Sequence, residues 1–345
     1  MVPGGQGRGH PVRVSATGDG GVPMKRRLAA LLAALTLAIG PGAFAQDAFP
    51  TKPVKIILPY AAGGGGDQFT RMFAQALGDL WQQPVVVENR PGAGATIGTD
   101  AVAKSPPDGY TLLMISSTIA VTPAAYPKLP YDVFKDLTPI GLLAQSPFIL
   151  TVNPNVPAQT FEEFVRYGRA NPGKLNFGHA GNGTMAHLSY ELLKARTGLQ
   201  ATVVAYRGSN PAMLDALTGQ VDFIVDTPAA IRQHVAAGKL RPVAATTARR
   251  AAAMPSLPTI AESGVPGFDV SVWFGLMGPG GMPPGLVQKI NADALKAFAA
   301  AGLGPRLAVL GMEPFPSSPG EFGDLLRQEV AKWGQVVKAA NIKFD

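Results

Sequence analysis

The chain has 345 residues, carries 30 Lys and Arg against 23 Asp and Glu for a formal charge of +7, and contains no cysteine. It therefore needs no oxidative folding and has no thiol nucleophile. The positive surplus is scattered, without a basic run interleaved with aromatics beyond the first residues, which argues against a nucleic-acid partner.

Met24-Lys25-Arg26-Arg27 opens a basic segment, residues 28–39 form an apolar one, and Ala43-Phe44-Ala45 is an A-x-A cleavage site. Together they read as a signal peptide starting at Met24 and cut between Ala45 and Gln46, since the apolar run is too short to span a bilayer comfortably. Residues 1–23 are read as an over-extended reading frame or a disordered leader. Loss of residues 1–45 removes five basic side chains and Asp19, leaving 300 residues with a charge of +3. That length suits two modest domains. No later stretch is long and apolar enough for a membrane span, so an exported, soluble, periplasmic protein is expected.

Downstream, short β-prone runs at 54–58, 85–88, 111–115, 149–152, 175–178, 202–205, 221–225 and 243–246 alternate with helical patterns. Thr160 with Glu163 forms a capping box, and Asn210-Pro211, Thr227-Pro228 and Ser318-Pro319 each place a capping residue before a helix-opening proline. Phe322, Leu325, Leu326, Val330, Trp333, Val337 and Ala340 make a one-sided stripe on a terminal helix. The alternation predicts an α/β protein with parallel sheets covered by helices. Pro-rich pauses at 123–139 and 249–268 bracket a βαβ set. The predicted division is a leader at 1–45, one domain from 46–145 plus 269–345, and a second at 146–268. The tail supplies one extended stretch and two helices, so the chain crosses twice and leaves a cleft between the domains.

"PYAAGGGGDQFTR" places Gly63 to Gly66 between a strand and a helix expected to start at Asp67 or Gln68. A P-loop would need Lys and Ser or Thr after the last glycine, and a dinucleotide fingerprint needs glycine at Gln68; neither fits. The remaining readings are a flexible loop, or a small anion held by bare N–H groups at a helix N-terminus with no Cβ in the way. Asp67 is read as the N-cap. The same strand–glycine–helix grammar recurs in "NFGHAGNGTMAHLSYELL", through Gly181 and Gly183 to a helix near Thr184. His179 and His187 flank that turn, but with no third ligand nearby they are read as bonding to the loop backbone. Asp226 ends "VDFIVD", where it either faces the cleft or caps the next helix. Ser116 to Thr118 end the third strand with hydroxyls, and Tyr206 and Arg207 end another. No catalytic constellation and no cofactor signature stands out.

These stretches, with "PVVVENRPGAGATIGTDAVAKSPPDGYTLLM", "YRGSNPAMLDALTGQVDFIVD" and "LPTIAESGVPGF", resemble in order the hallmark segments of the Bug receptors. Those are the substrate-binding proteins of tripartite tricarboxylate transporters, and the likeness runs from about Phe49 to the C-terminus. It implies a type II periplasmic binding protein fold, with two α/β domains closing on a small di- or tricarboxylic or aromatic acid. The receptor would be a non-enzymatic monomer with permease subunits as partners. Carried across, the carboxylate would meet Tyr60, Ala61, Gly64 and Gly65 supported by Asp67 in the first domain, and His179, Ala180, Gly181, Gly183 and Thr184 in the second, with Asp226 at the distal end. Ser117, Thr118 and Tyr206 join the expected site from their own positions at strand ends. His179 departs from the small residue usual there, and as a bulky, potentially cationic group it would shrink the pocket or favour a dianion. A receptor serving a signalling partner, or a periplasmic enzyme on the same fold, are the rival expectations.

Overall fold

In the computed structural model, residues 49–126 and 128–342 are described, with His10, Pro11, Arg13 and Ser15. The expected signal peptide and its cleavage junction lie outside the described residues. Largely aliphatic and β-branched runs form β1 (Val54–Leu58), β2 (Val85–Asn89), β3 (Thr111–Ser116), β4 (Leu137–Pro147), β5 (Ile149–Val152), β6 (Leu175–His179), β7 (Ala201–Ala205), β8 (Phe223–Asp226), β9 (Arg241–Ala245) and β10 (Ser271–Pro279), and the dipeptide Glu313–Pro314 adds a short β11. They assemble into a six-stranded sheet, β11-β4-β10-β3-β1-β2, and a five-stranded sheet, β7-β6-β8-β5-β9. The α/β class is as expected, with two sheet-containing domains.

The sheets are mixed, however, where parallel ones were expected. β1 runs parallel to β2 and β3, and β6 runs parallel to β7 and β8. β10 is antiparallel to both β3 and β4, and β5 is antiparallel to β8 and β9. The exceptions are strands that carry the chain between sheets. Parallel neighbours need a covering crossover, whereas a strand arriving from the other sheet enters directly in the opposite sense. The chain leaves the first sheet at Pro147, begins the second at Ile149 and re-enters the first at Ser271; Pro147 and Ser271 are themselves paired. β4 was not legible among its prolines.

Helix starts follow local chemistry. Ser318 and Glu321 form a reciprocal capping box on the helix Pro319–Ala340, and Thr160 caps Phe161–Ala170 through the Glu163 N–H. The helix expected behind Asn210-Pro211 instead starts at Ser209 with Gly208 as its N-cap, because φ of 109° there suits only glycine. The terminal helix buries Phe322, Leu326, Trp333 and Val337 as its stripe predicts. Phe322 meets Trp273 of β10 edge to face at 5.4 Å. That approach requires Gly275, where a Cβ would lie 2.5 Å from the Phe322 ring.

Gly275→Ala is therefore expected to force this aromatic pair apart and cost about 1–3 kcal/mol, the usual penalty for overpacking a core. Urea unfolding measures it, and a midpoint equal to that of the wild type would show that the ring yields freely.

Candidate functional site

Each sheet holds a triplet of parallel neighbours, β2-β1-β3 and β7-β6-β8, whose central strand runs into a glycine turn and then a helix. Ligands of open α/β sheets bind outside the carboxyl ends of such strands. The candidate residues collect at these two edges.

At the first edge the helix Gly65–Trp81 starts two residues earlier than expected, with Gly64 as N-cap at φ −73°. Asp67 is thus not the cap. Its buried carboxylate turns back to accept hydrogen bonds from the Gly63 N–H at 3.0 Å, Arg71 Nε at 3.1 Å and Asn89 Nδ2 at 3.0 Å. Burial pushes its pKa up, but the bonds from Arg71, Gly63 and Asn89 outweigh that and hold it below the ordinary carboxylate value. An ionised Asp67 therefore braces the loop and leaves the peptide N–H groups of Gly65, Gly66 and Asp67 without an acceptor inside the helix. The four glycines serve different ends. Gly63 adopts φ +91°, and a Cβ on Gly66 would lie 2.9 Å from the Phe274 ring, whereas nothing lies within 4 Å of a Cβ on Gly64.

Tyr60, next to this loop, ties β1 to β3. Its hydroxyl lies 2.7 Å from Ser116 Oγ and 2.6 Å from Thr118 Oγ1, and it accepts the Ser116 N–H at 3.1 Å. Burial raises its pKa against the opposing effect of those bonds, so it stays a neutral phenol. Ser117 is fully buried, and its hydroxyl has no partner among the described residues. Ala61 is exposed on the loop.

At the second edge Thr184 is the N-cap of the helix Met185–Thr197, accepting the His187 N–H and donating its hydroxyl to the Gly181 carbonyl at 2.8 Å. His179 Nδ1 lies 2.9 Å from the Gly181 carbonyl oxygen and 3.2 Å from the Gly181 nitrogen, donating to the first in one tautomer and accepting from the second in the other, while the Gly183 N–H donates to His187 Nδ1 at 3.1 Å. The Gly183 amide is thus engaged within the loop, and the unengaged helical N–H groups are those of Met185 and Ala186. The two imidazoles stack 4.4 Å apart, with Phe177 on the far side of His179. Burial, then the neighbouring His187, lowers the His179 pKa to about 4; burial, then Lys194, lowers that of His187. His179, expected as a potentially cationic group, is instead neutral at pH 7 and 2 % exposed.

The Ala180 carbonyl accepts the Gly208 N–H at 3.1 Å, and the His179 carbonyl accepts the Tyr206 N–H at 2.9 Å, so β6 and β7 end in one interlocked turn. The Tyr206 hydroxyl points elsewhere, donating to Asp215 at 2.5 Å; burial and this bond push its pKa to about 12. Asp226 accepts the Thr227 N–H at 2.7 Å and a hydroxyl bond from Ser209; burial raises its pKa against both. It joins β8 to the same turn. Arg207 is exposed. Among the described residues no group of three or more His, Asp or Glu converges as a metal site, and no helix is long and apolar enough to cross a membrane.

Residues that the sequence did not single out complete both edges: Asn89, which also donates to the Tyr60 carbonyl at 3.0 Å, Arg71, Ser209 and Met312. Asn89 was findable, because it ends β2 where Ser116 ends β3. Arg71 also had a local signal, lying one turn after Asp67, whereas Ser209 and Met312 depend on contacts distant in sequence.

A histidine whose folded pKa lies below its unfolded value of about 6.5 stabilises the fold fully above that pH and loses the contribution as pH falls toward 4. Asp226, raised by burial, acts in the opposite sense over part of that window. His179→Gln, whose amide can still bond the Gly181 peptide as donor or acceptor, is expected to lose less stability between pH 7 and pH 5 than the wild type. Equal losses in urea titrations at the two pH values would contradict a buried neutral imidazole.

Three comparisons agree with this architecture. The profile described as "Tripartite tricarboxylate transporter family receptor" matches residues 69–342. The protein BugT of Bordetella pertussis is 35% identical over 300 residues, 86% of this chain and 92% of its own. Among solved structures, Rpa4515 of R. palustris with adipate is 34% identical with a TM-score of 0.70, covering 86% of this chain and 99% of its own. MatC of Rhodopseudomonas palustris with bound malate is 33% identical with a TM-score of 0.66, covering 84% and 100%. A chain so matched over almost its whole described length, with two sheets that each end in a glycine turn and a helix start, belongs to the tripartite tricarboxylate transporter receptor family of periplasmic solute-binding proteins.

Proposed function

We propose that this receptor captures a small dicarboxylate or a related organic acid between its two glycine turns and presents it to the permease subunits of a tripartite tricarboxylate transporter. One observation carries the reading: two strand–glycine–helix units of the same design, one per sheet, each end in helical N–H groups with no acceptor of their own. The positive ends of two helix dipoles favour an anion, and a ligand carrying two carboxylates supplies an anionic group for each. Rpa4515 with adipate and MatC with malate, both relatives over most of the chain, support a dicarboxylate.

In this reading Ala61, Gly64 and Gly65 with the following helical amides hold one end of the ligand, supported by Asp67. Ala180, Gly181, Gly183 and Thr184 with the Met185 and Ala186 amides hold the other. Tyr60, Ser117 and Thr118 shape the first wall, and His179, Tyr206 and Asp226 the second, where the neutral imidazole adds no positive charge. The lobes are residues 46–145 with 269–345 and residues 146–268, hinged where the chain passes between sheets. Closure is a two-state equilibrium biased by contacts that form only when both lobes grip the ligand. The mature chain begins at Gln46.

Thermal unfolding against a panel of organic acids that includes adipate and malate tests this directly. At about a hundred times its dissociation constant, a true ligand adds about 2.7 kcal/mol of stability. Gly64→Val should keep the unliganded melting temperature, since its backbone is extended and the space around it is open, yet abolish that shift by covering the helix N-terminus. Unchanged calorimetric titration of the variant would count against the clamp.

A further inference from the structure

The turn after the short helix Leu303–Val309 lies between the first glycine turn and the helix that follows Asp226. The helix closes in a Schellman motif, with the Gly311 N–H donating to Ala308 and the Met312 N–H to Leu307, and with Gly311 at φ +68°. From there the buried Met312 side chain reaches the first anion loop, where its Cε lies 3.4 Å from the position of a Cβ on Gly65. Gly311 faces the other way. A Cβ built on it would lie 2.7 Å from Ala229 Cβ and 3.0 Å from Ala229 N, in the helix Pro228–Ala236 that follows Asp226. Neighbouring bonds anchor the turn: Ser146 Oγ donates to the Gly311 carbonyl at 2.8 Å, Gln145 Nε2 donates to Glu313 at 2.6 Å, and the Ala252 N–H donates to Glu313 at 3.2 Å.

We infer that Met312 is a positioning residue for the Gly63-to-Asp67 loop, and that Gly311 couples it to the helix Pro228–Ala236 of the other sheet. The inference rests on the reading of that loop as the carboxylate site. With no side chain at Gly311 to absorb displacement, movement of Ala229 acts on the turn backbone, and the next residue presses on Gly65. A long, unbranched thioether suits a brace that must stay in contact while the loop adjusts. The grip of the first lobe thus depends on the position of the second, although none of these side chains hydrogen-bonds a ligand.

Hydrogen–deuterium exchange of the unliganded protein tests the brace without needing a ligand. Met312→Ala should speed exchange of the hydrogen-bonded Gly63 and Gln68 amides at least tenfold while the amides of β1 and β6 stay protected; Met312→Leu should stay near wild type. Ala229→Leu, at an exposed helical position with no backbone strain, tests the coupling. It should weaken adipate and malate binding about tenfold or more while leaving the unliganded melting temperature in place. Unaltered loop exchange in Met312→Ala, or wild-type affinity in Ala229→Leu, overturns the inference. If the wild type binds neither acid but the exchange result holds, the brace stands and the dicarboxylate reading falls.

Discussion

The first-turn amides of an α-helix have no acceptor within the helix, and everything distinctive about this receptor follows from leaving two such sets available at the carboxyl edges of two sheets. In each case the backbone must turn sharply out of a strand and straight into a helix, and glycine makes the turn possible. What differs is the clamp that shapes the turn. In the first lobe an ionised carboxylate, Asp67, pulls in the Gly63 N–H and is balanced by Arg71 at 3.1 Å and by Asn89. In the second lobe two stacked neutral imidazoles hold the turn, His179 through the Gly181 peptide and His187 by accepting the Gly183 N–H. Neither device leaves unbalanced negative charge beside the proposed carboxylate site, which would otherwise oppose an anion in a low-dielectric crevice.

Around these turns the two sheets repeat one plan: a central strand, a glycine turn and helix, an edge strand on one side, then a strand on the other. β2-β1-β3 and β7-β6-β8 are the same arrangement built twice from different sequences. The antiparallel strands β4 and β10, paired along nine registered positions inside the first sheet, carry the chain out to the second sheet and back. Packing of the terminal helix on β10 through Phe322 and Trp273 fixes that pair to the core of the first sheet.

Much of this was readable beforehand because it is local. Strand–helix alternation, the Ser318 capping box and both glycine turns depend on residues within a few positions of one another. The boundaries of β1 and β5 follow directly from short aliphatic runs. The readings that needed correction depended on side-chain packing that no local pattern announces. Asp67 resembles an N-cap until Asn89, Arg71 and the Gly63 amide close on it, and the potentially cationic His179, read correctly as bonding the loop backbone, is kept neutral by burial beside Phe177 and His187. β4 hides behind Pro139 and Pro147, which only the registry with β10 makes compatible with a strand. Met312 carries no local signal at all.

The most direct test is a crystal structure of the receptor with its tightest-binding organic acid. The account predicts one carboxylate within about 3 Å of peptide nitrogens in the turn after β1 and at the start of the helix Gly65–Trp81, with the opposite end of the acid against the turn after β6. A carboxylate held instead by side-chain cations, or a ligand touching only one of the two turns, would contradict it.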